Sequence, residues 1–69
     1  MNHLDRIQQF QLFCLECYRS EKHISGLSAL SDFKKYNVFD YLASGFEVLH
    51  TQGKNYLIAD INDYIMLRK

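Results

Sequence analysis

Read at the 100° per residue of an α-helix, the first stretch of this chain places Ile7, Phe10, Phe13, Cys14, Cys17 and Tyr18 on one broad face. Gln8, Gln9, Glu16 and Arg19 lie opposite, with Leu4 and Leu15 at the edge of the apolar stripe. Leu12 falls among the polar residues and breaks the pattern. A helix from about Leu4 to Glu21 is predicted. No proline occurs anywhere in the chain to interrupt this or any later helix.

Further along, Ser25 has the chemistry of an N-cap, because its hydroxyl can accept from a backbone N–H that the first helical turn leaves unpaired. Ile24 before it is placed to pack on Ala29 as a hydrophobic staple. Leu27, Leu30 and Phe33 recur at threes, and this second helix is expected to end near Tyr36. Asn37 is read as the cap of a third helix whose inward set is Val38, Tyr41, Leu42, Phe46, Val48 and Leu49, with Phe39 at the margin. Asp40, Glu47 and Thr51 face outward. Gly53 suits the left-handed residue that closes such a helix. Tyr56-Leu57-Ile58 reads as a short extended stretch, and Asp60 as the N-cap of a last helix with Ile61, Tyr64 and Ile65 facing inward. Met66 and Leu67 point elsewhere. The expected fold is all-α, a compact bundle of about four helices with short connections, spanning 1–69 as one domain.

Size sharpens this reading. A chain of 69 residues hides only about 60% of its unfolded surface, and its single core typically supplies about 3–5 kcal/mol. With 48% hydrophobic residues and zero formal charge, the composition is far from that of a disordered chain. The same zero balance argues against nucleic acid, since holding phosphates requires a basic face. The would-be recognition helix after Tyr36-Asn37 carries Asp40 and Glu47 and no Lys or Arg before Lys54. The longest uninterrupted apolar runs are four residues, as in Leu12-Phe13-Cys14-Leu15, against the roughly 20 that span a bilayer. Met1 to Gln11 carry Asp5, Arg6 and three glutamines where a secretory signal needs an apolar stretch. A cytoplasmic location is expected, and with it two free thiols.

No catalytic constellation emerges. Cys14-Leu15-Glu16-Cys17 spells C-x-x-C, but both cysteines sit in the middle of a helix and on its apolar face, whereas redox motifs place the first thiol at a helix N-terminus. Zinc would need two further ligands. Two buried core thiols are the expectation. His3, His23 and His50 are isolated in sequence. His50, in Leu49-His50-Thr51-Gln52-Gly53, reads first as a last-turn histidine favoured by the helix dipole. No serine stands in a nucleophile elbow. Asp60 and Asp63 read as a cap and a first-turn charge. No catalytic, cofactor or metal residues are assigned, and no cofactor is expected. The residues left over for a partner are Leu12, Met66, Leu67, His50 and Gln52.

Phe13-Cys14-Leu15-Glu16 with Tyr18, Ser25-Gly26, Phe33 with Tyr36, Tyr41-Leu42, Leu49-His50-Thr51-Gln52-Gly53, and Asp60-Ile61 with Tyr64-Ile65 resemble a family of short bacterial proteins of unknown function. The resemblance covers nearly the whole chain, and Leu-His-Thr-Gln-Gly is its most specific part. Cys17 lies outside the family's pattern. Members tend to be encoded beside a predicted ADP-ribosyltransferase-like protein, in a small-toxin-like arrangement. The resemblance therefore implies a protein partner, or a neutralising, antitoxin-like role. The residues by themselves leave open a self-associating structural domain, and a small-ligand or metal-binding protein using His50 or Cys14 and Cys17.

Overall fold

Asp5 starts the first helix. Its carboxylate accepts from the Gln8 N–H at 2.7 Å, and the Gln8 side chain accepts from the Asp5 N–H at 3.1 Å, a reciprocal cap that satisfies two otherwise unpaired donors. The computed structural model describes residues 5–69, so Leu4 and His3 lie outside the described residues. Among the described residues five helices follow one another: α1 (Arg6–Lys22), α2 (Gly26–Lys35), α3 (Val38–Ser44), α4 (Phe46–Leu49) and α5 (Lys54–Met66). Among the described residues there is no strand, and no helix is long and apolar enough to cross a membrane. The fold is the expected small all-α bundle.

The core takes Phe10, Cys14 and Tyr18 from α1, Ala29 and Phe33 from α2, and Val38 and Leu42 from α3. Phe46 and Leu49 from α4 and Leu57, Ile61 and Ile65 from α5 complete it. Phe33 sits at the centre, fully buried, with the Tyr18 ring 5.3 Å away on one side and the Phe39 ring 5.2 Å away on the other. Deleting such a ring typically costs about 3–5 kcal/mol, which equals the whole stability expected of a core this small. Cys14 and Cys17 are both buried free thiols, as expected. Cys17 and Ile58 are buried yet stand outside the main cluster.

Several expectations need correction. Phe13 was placed on the inward face of α1 but is 49% exposed. The neighbouring helices lean toward the opposite edge of that face: Leu15 packs against the core, and the Gln11 side chain donates to the Phe39 carbonyl at 2.9 Å. Leu27, the first of the apolar residues that recur at threes in α2, is 80% exposed. Residues spaced by threes drift about 60° around a helix at each step, and the buried pair of α2 is Ala29 and Phe33, spaced by four. The Ser25 cap is present, accepting from the Ser28 N–H at 3.0 Å.

The single third helix is in fact two. Gly45 ends α3 and precedes α4 with φ −97° and ψ 11°, and a Cβ built on it would lie 2.9 Å from Leu49 Cδ1. The missing side chain lets Leu49 pack against the backbone at the break. The kink keeps Phe46 and Leu49 buried and leaves Val48, expected inward, exposed. Asn37 makes no side-chain cap bond; it is left-handed, with φ 57°. Gly53 is not the left-handed residue after the third helix. Its backbone is extended (φ −75°, ψ 165°), and it stands at the N-cap of α5. Tyr56-Leu57-Ile58 is helical, and Asp60 lies inside α5 rather than at its start. The apolar spacing explains why: Leu57, Ile58, Ile61 and Ile65 form one helical stripe.

The other left-handed residue is His23 (φ 57°), closing α1. Its N–H donates to Ser20 O at 3.3 Å, and the Ile24 N–H reaches Arg19 O at 3.2 Å, the paired bonds of a Schellman ending. A histidine there bears the steric cost that glycine avoids. His23→Gly is therefore expected to stabilise the fold by about 0.5–1 kcal/mol, net of the extra freedom glycine gives the unfolded chain. Urea titration checks it: the midpoint should rise with an unchanged slope, and a lower midpoint would contradict this account of the turn.

Candidate functional site

On α5, four residues stepped by four form one ridge beside the buried stripe: Tyr56, Asp60, Tyr64 and Arg68, the last just past the helix end. Tyr41 of α3 lies next in sequence to the buried Leu42 and meets the middle of this ridge. Its hydroxyl donates to Asp60 Oδ2 at 2.6 Å. Its ring stacks on Tyr64 with centroids 4.0 Å apart and planes 23° apart. The Arg68 guanidinium lies 3.6 Å above the Tyr64 ring, and its Nη1 donates to the Tyr64 carbonyl at 3.3 Å. A cation and two stacked rings thus run in series from the end of α5 to α3.

Beside this ladder the helices part into an open cleft of about 390 Å³. Its walls are Tyr41, Ser44 and Gly45 from the end of α3, Val48 and Leu49 from α4, and Tyr56 and Asp60 from α5. Tyr56 and Val48 are exposed there. Among the described residues no cationic side chain lines it. Burial, and secondly the bond to Asp60 and its charge, push the Tyr41 phenol up to about 12. The phenol therefore stays a proton donor to the carboxylate across the ordinary pH range. Tyr18 repeats the device between α1 and α2, donating to Asp32 Oδ2 at 2.8 Å, its phenol also pushed up to about 12 by burial and then by Asp32.

The residues singled out from sequence do not converge on this cleft. Leu12 is 48% exposed and lines a separate shallow pocket of about 310 Å³ with Gln8, Gln11 and Phe39. Met66 and Leu67 are 66% and 83% exposed at the end of α5, and neither lines the pocket at Leu12. His50 ends α4. Its ring stacks on Phe46 at 4.4 Å, and its Nδ1–H donates to the Phe46 carbonyl at 2.6 Å, the pairing that assigns the proton to Nδ1. The Thr51 hydroxyl donates to Val48 O at 2.8 Å, and Gln52 is exposed. His50 Nδ1 and the Thr51 hydroxyl are thus engaged with the carbonyls of α4, the helix-ending position read for His50 from the sequence.

Burial pushes the Cys14 thiol up to about 12, helped by the neighbouring Cys17 thiol. Burial raises Cys17 as well, with Lys54 pulling the other way. Neither is the depressed, exposed thiol of a redox centre. Among the described residues no three His, Cys, Asp or Glu side chains come together in a group able to hold a metal ion.

Tyr41, Tyr56 and Asp60 were not among the residues singled out from sequence. Reading Asp60 as a cap cut α5 short and hid the four-residue stepping of the ridge. Extending the apolar stripe back to Leu57 would have revealed it.

This chain belongs to the family described as "Protein of unknown function (DUF3791)", whose model matches residues 9–68. No curated protein and no solved structure matches it.

The two tyrosine–aspartate bonds have a consequence at high pH. A tyrosine near 10 in the unfolded chain and near 12 in the folded one favours the native state fully below pH 10, and that contribution is lost as pH rises through 12. Thermal melts of the wild type should therefore fall steeply over that interval. Tyr18→Phe and Tyr41→Phe are expected to start lower at neutral pH and to lose less across it. Parallel curves for all three proteins would contradict the assignment.

Proposed function

We propose that this chain is a non-enzymatic protein-interaction module of the bacterial cytoplasm, and more specifically an antitoxin-like neutraliser of the ADP-ribosyltransferase-like product of an adjacent gene. The observation that carries the reading is the surplus of large apolar side chains left exposed, among them Leu12 and Phe13 at 48% and 49% and Met66 and Leu67 at 66% and 83%. Single exposed apolar residues are ordinary, whereas a surplus of them on so small a chain supplies the apolar area that contacts use. The family membership is compatible with this role, and the resemblance supplies the suggested partner.

A small-ligand or metal-binding role through the thiols is less well supported, because Cys14 and Cys17 are buried with raised pKa values. Self-association would use the same exposed residues, and sedimentation of the isolated chain distinguishes it from binding a different protein.

The test is a titration of the chain against the purified neighbouring gene product. Leu12→Lys and Met66→Lys are each exposed changes, normally worth less than about 0.5 kcal/mol of folding stability. At least one of them is expected to weaken the complex by about tenfold or more, the cost of roughly 1.4 kcal/mol at a contact. The melting curves should stay close to the wild type. No complex with the wild-type chain would overturn the neutraliser reading, and a complex indifferent to both changes would show that these residues are not the contact.

A further inference from the structure

The cleft between α3, α4 and α5 has a chemistry of its own. Tyr64 covers one part of the Tyr41 ring and does not line the cleft, so the Tyr41 surface presented there is what Tyr64 leaves open. Tyr56, half exposed, supplies a second aromatic surface to the cleft from α5. Among the described residues Asp60 is the one charged side chain that lines it. Its Oδ2 accepts from Tyr41, while Oδ1 has no protein donor among the described residues. Two tyrosines and a carboxylate with a free oxygen, with no cation among them, are complementary to a planar cation. The same surface already shows the mode: the chain's own Arg68 lies on Tyr64, on the far side of the stack that ends at Tyr41.

We propose that this cleft receives an arginine side chain from a partner protein, its guanidinium laid against Tyr41 and Tyr56 and paired with Oδ1 of Asp60. The assignment rests on the reading of the chain as a protein-interaction module, and deepens it by naming the group the partner presents. Arginine fits better than lysine because its flat guanidinium can lie on a ring and still direct N–H donors at a carboxylate in the same plane. The bond from Tyr41 fixes the carboxylate before anything binds, so little side-chain freedom is lost on docking. Val48, exposed at the cleft, would cover the aliphatic stem.

The probe is a blocked peptide, acetyl-Gly-Arg-Gly-amide, with its neutral citrulline counterpart and its lysine counterpart, each titrated into the full chain and followed by NMR. The arginine peptide should shift the ring resonances of Tyr41 and Tyr56 saturably, in the millimolar range expected of a single side chain. The citrulline and lysine peptides should bind at least roughly fivefold more weakly. Asp60→Asn keeps an acceptor for the Tyr41 hydroxyl while removing the charge, and should weaken arginine binding by a similar factor. Tyr56→Ala, at an exposed position, should do so too without touching the Tyr41–Asp60 bond. The proposal is overturned if the arginine peptide leaves these rings unmoved, if citrulline or lysine matches it, or if both variants bind as the wild type does. These readouts need no partner, so they separate the two readings. If the neighbouring gene product binds the wild type and Asp60→Asn equally, the arginine site falls and the interaction module stands. If that protein does not bind but the peptide does, the neutraliser reading falls and the arginine site stands.

Discussion

The hydrogen bond from Tyr41 to Asp60 ties α5 to α3, while the apolar stripe of α5 packs mainly on α1. The bond sets Tyr64 one turn further along, in stacking range of Tyr41, and carries Arg68 onto Tyr64. The cleft beside α4 opens next to this joint, with Tyr41 and Asp60 on its walls. A phenol suits this position because its ring supplies packing area and its hydroxyl satisfies a group that would otherwise cost desolvation. The Tyr18–Asp32 bond between α1 and α2 has the same logic, with its ring buried against Phe33. Two such joints tie the four longer helices in pairs around one aromatic centre.

The bundle has little stability to spare, which makes these polar joints matter. A single fully buried ring at Phe33 accounts for an energy comparable to the whole net stability of so short a chain. Among the described residues no polar or charged side chain is fully buried and no buried polar atom lacks a partner. The chain thus avoids the largest penalties while leaving seven large hydrophobic side chains exposed among the described residues. The excess apolar surface that the composition implies lies mostly on α1 and α5, where Leu12, Phe13, Tyr56, Met66 and Leu67 reach solvent.

How much could be read from the sequence depended on whether the signal was local. The Ser25 cap, the thiols inside α1 and the helix-ending position of His50 are set by residues within a turn or two, and each was legible. So was the exposure of Leu12, Met66 and Leu67. The break at Gly45 was not, because a glycine within a helical pattern is tolerated unless a neighbour needs its space, and that neighbour, Leu49, is known only from the packing. Asp60 was misread because an aspartate ahead of an apolar run has the spelling of a cap, whereas its true partner lies 19 residues away on another helix. Phe13 was placed inward because an apolar stripe gives the direction of a face without saying how far each neighbouring helix covers it.

The most direct test of this account is a double-mutant cycle on Tyr41→Phe and Asp60→Ala, read by urea unfolding. A hydrogen bond to a charged group contributes about 1.5–3 kcal/mol when well shielded, and less where water reaches it. For this half-exposed pair, a coupling energy of about 1 kcal/mol is predicted, with the double variant less destabilised than the sum of the singles. Single effects that add to within about 0.3 kcal/mol would contradict the account, showing that α5 is held by its apolar stripe alone and that the Tyr41–Asp60 bond does not fix the cleft.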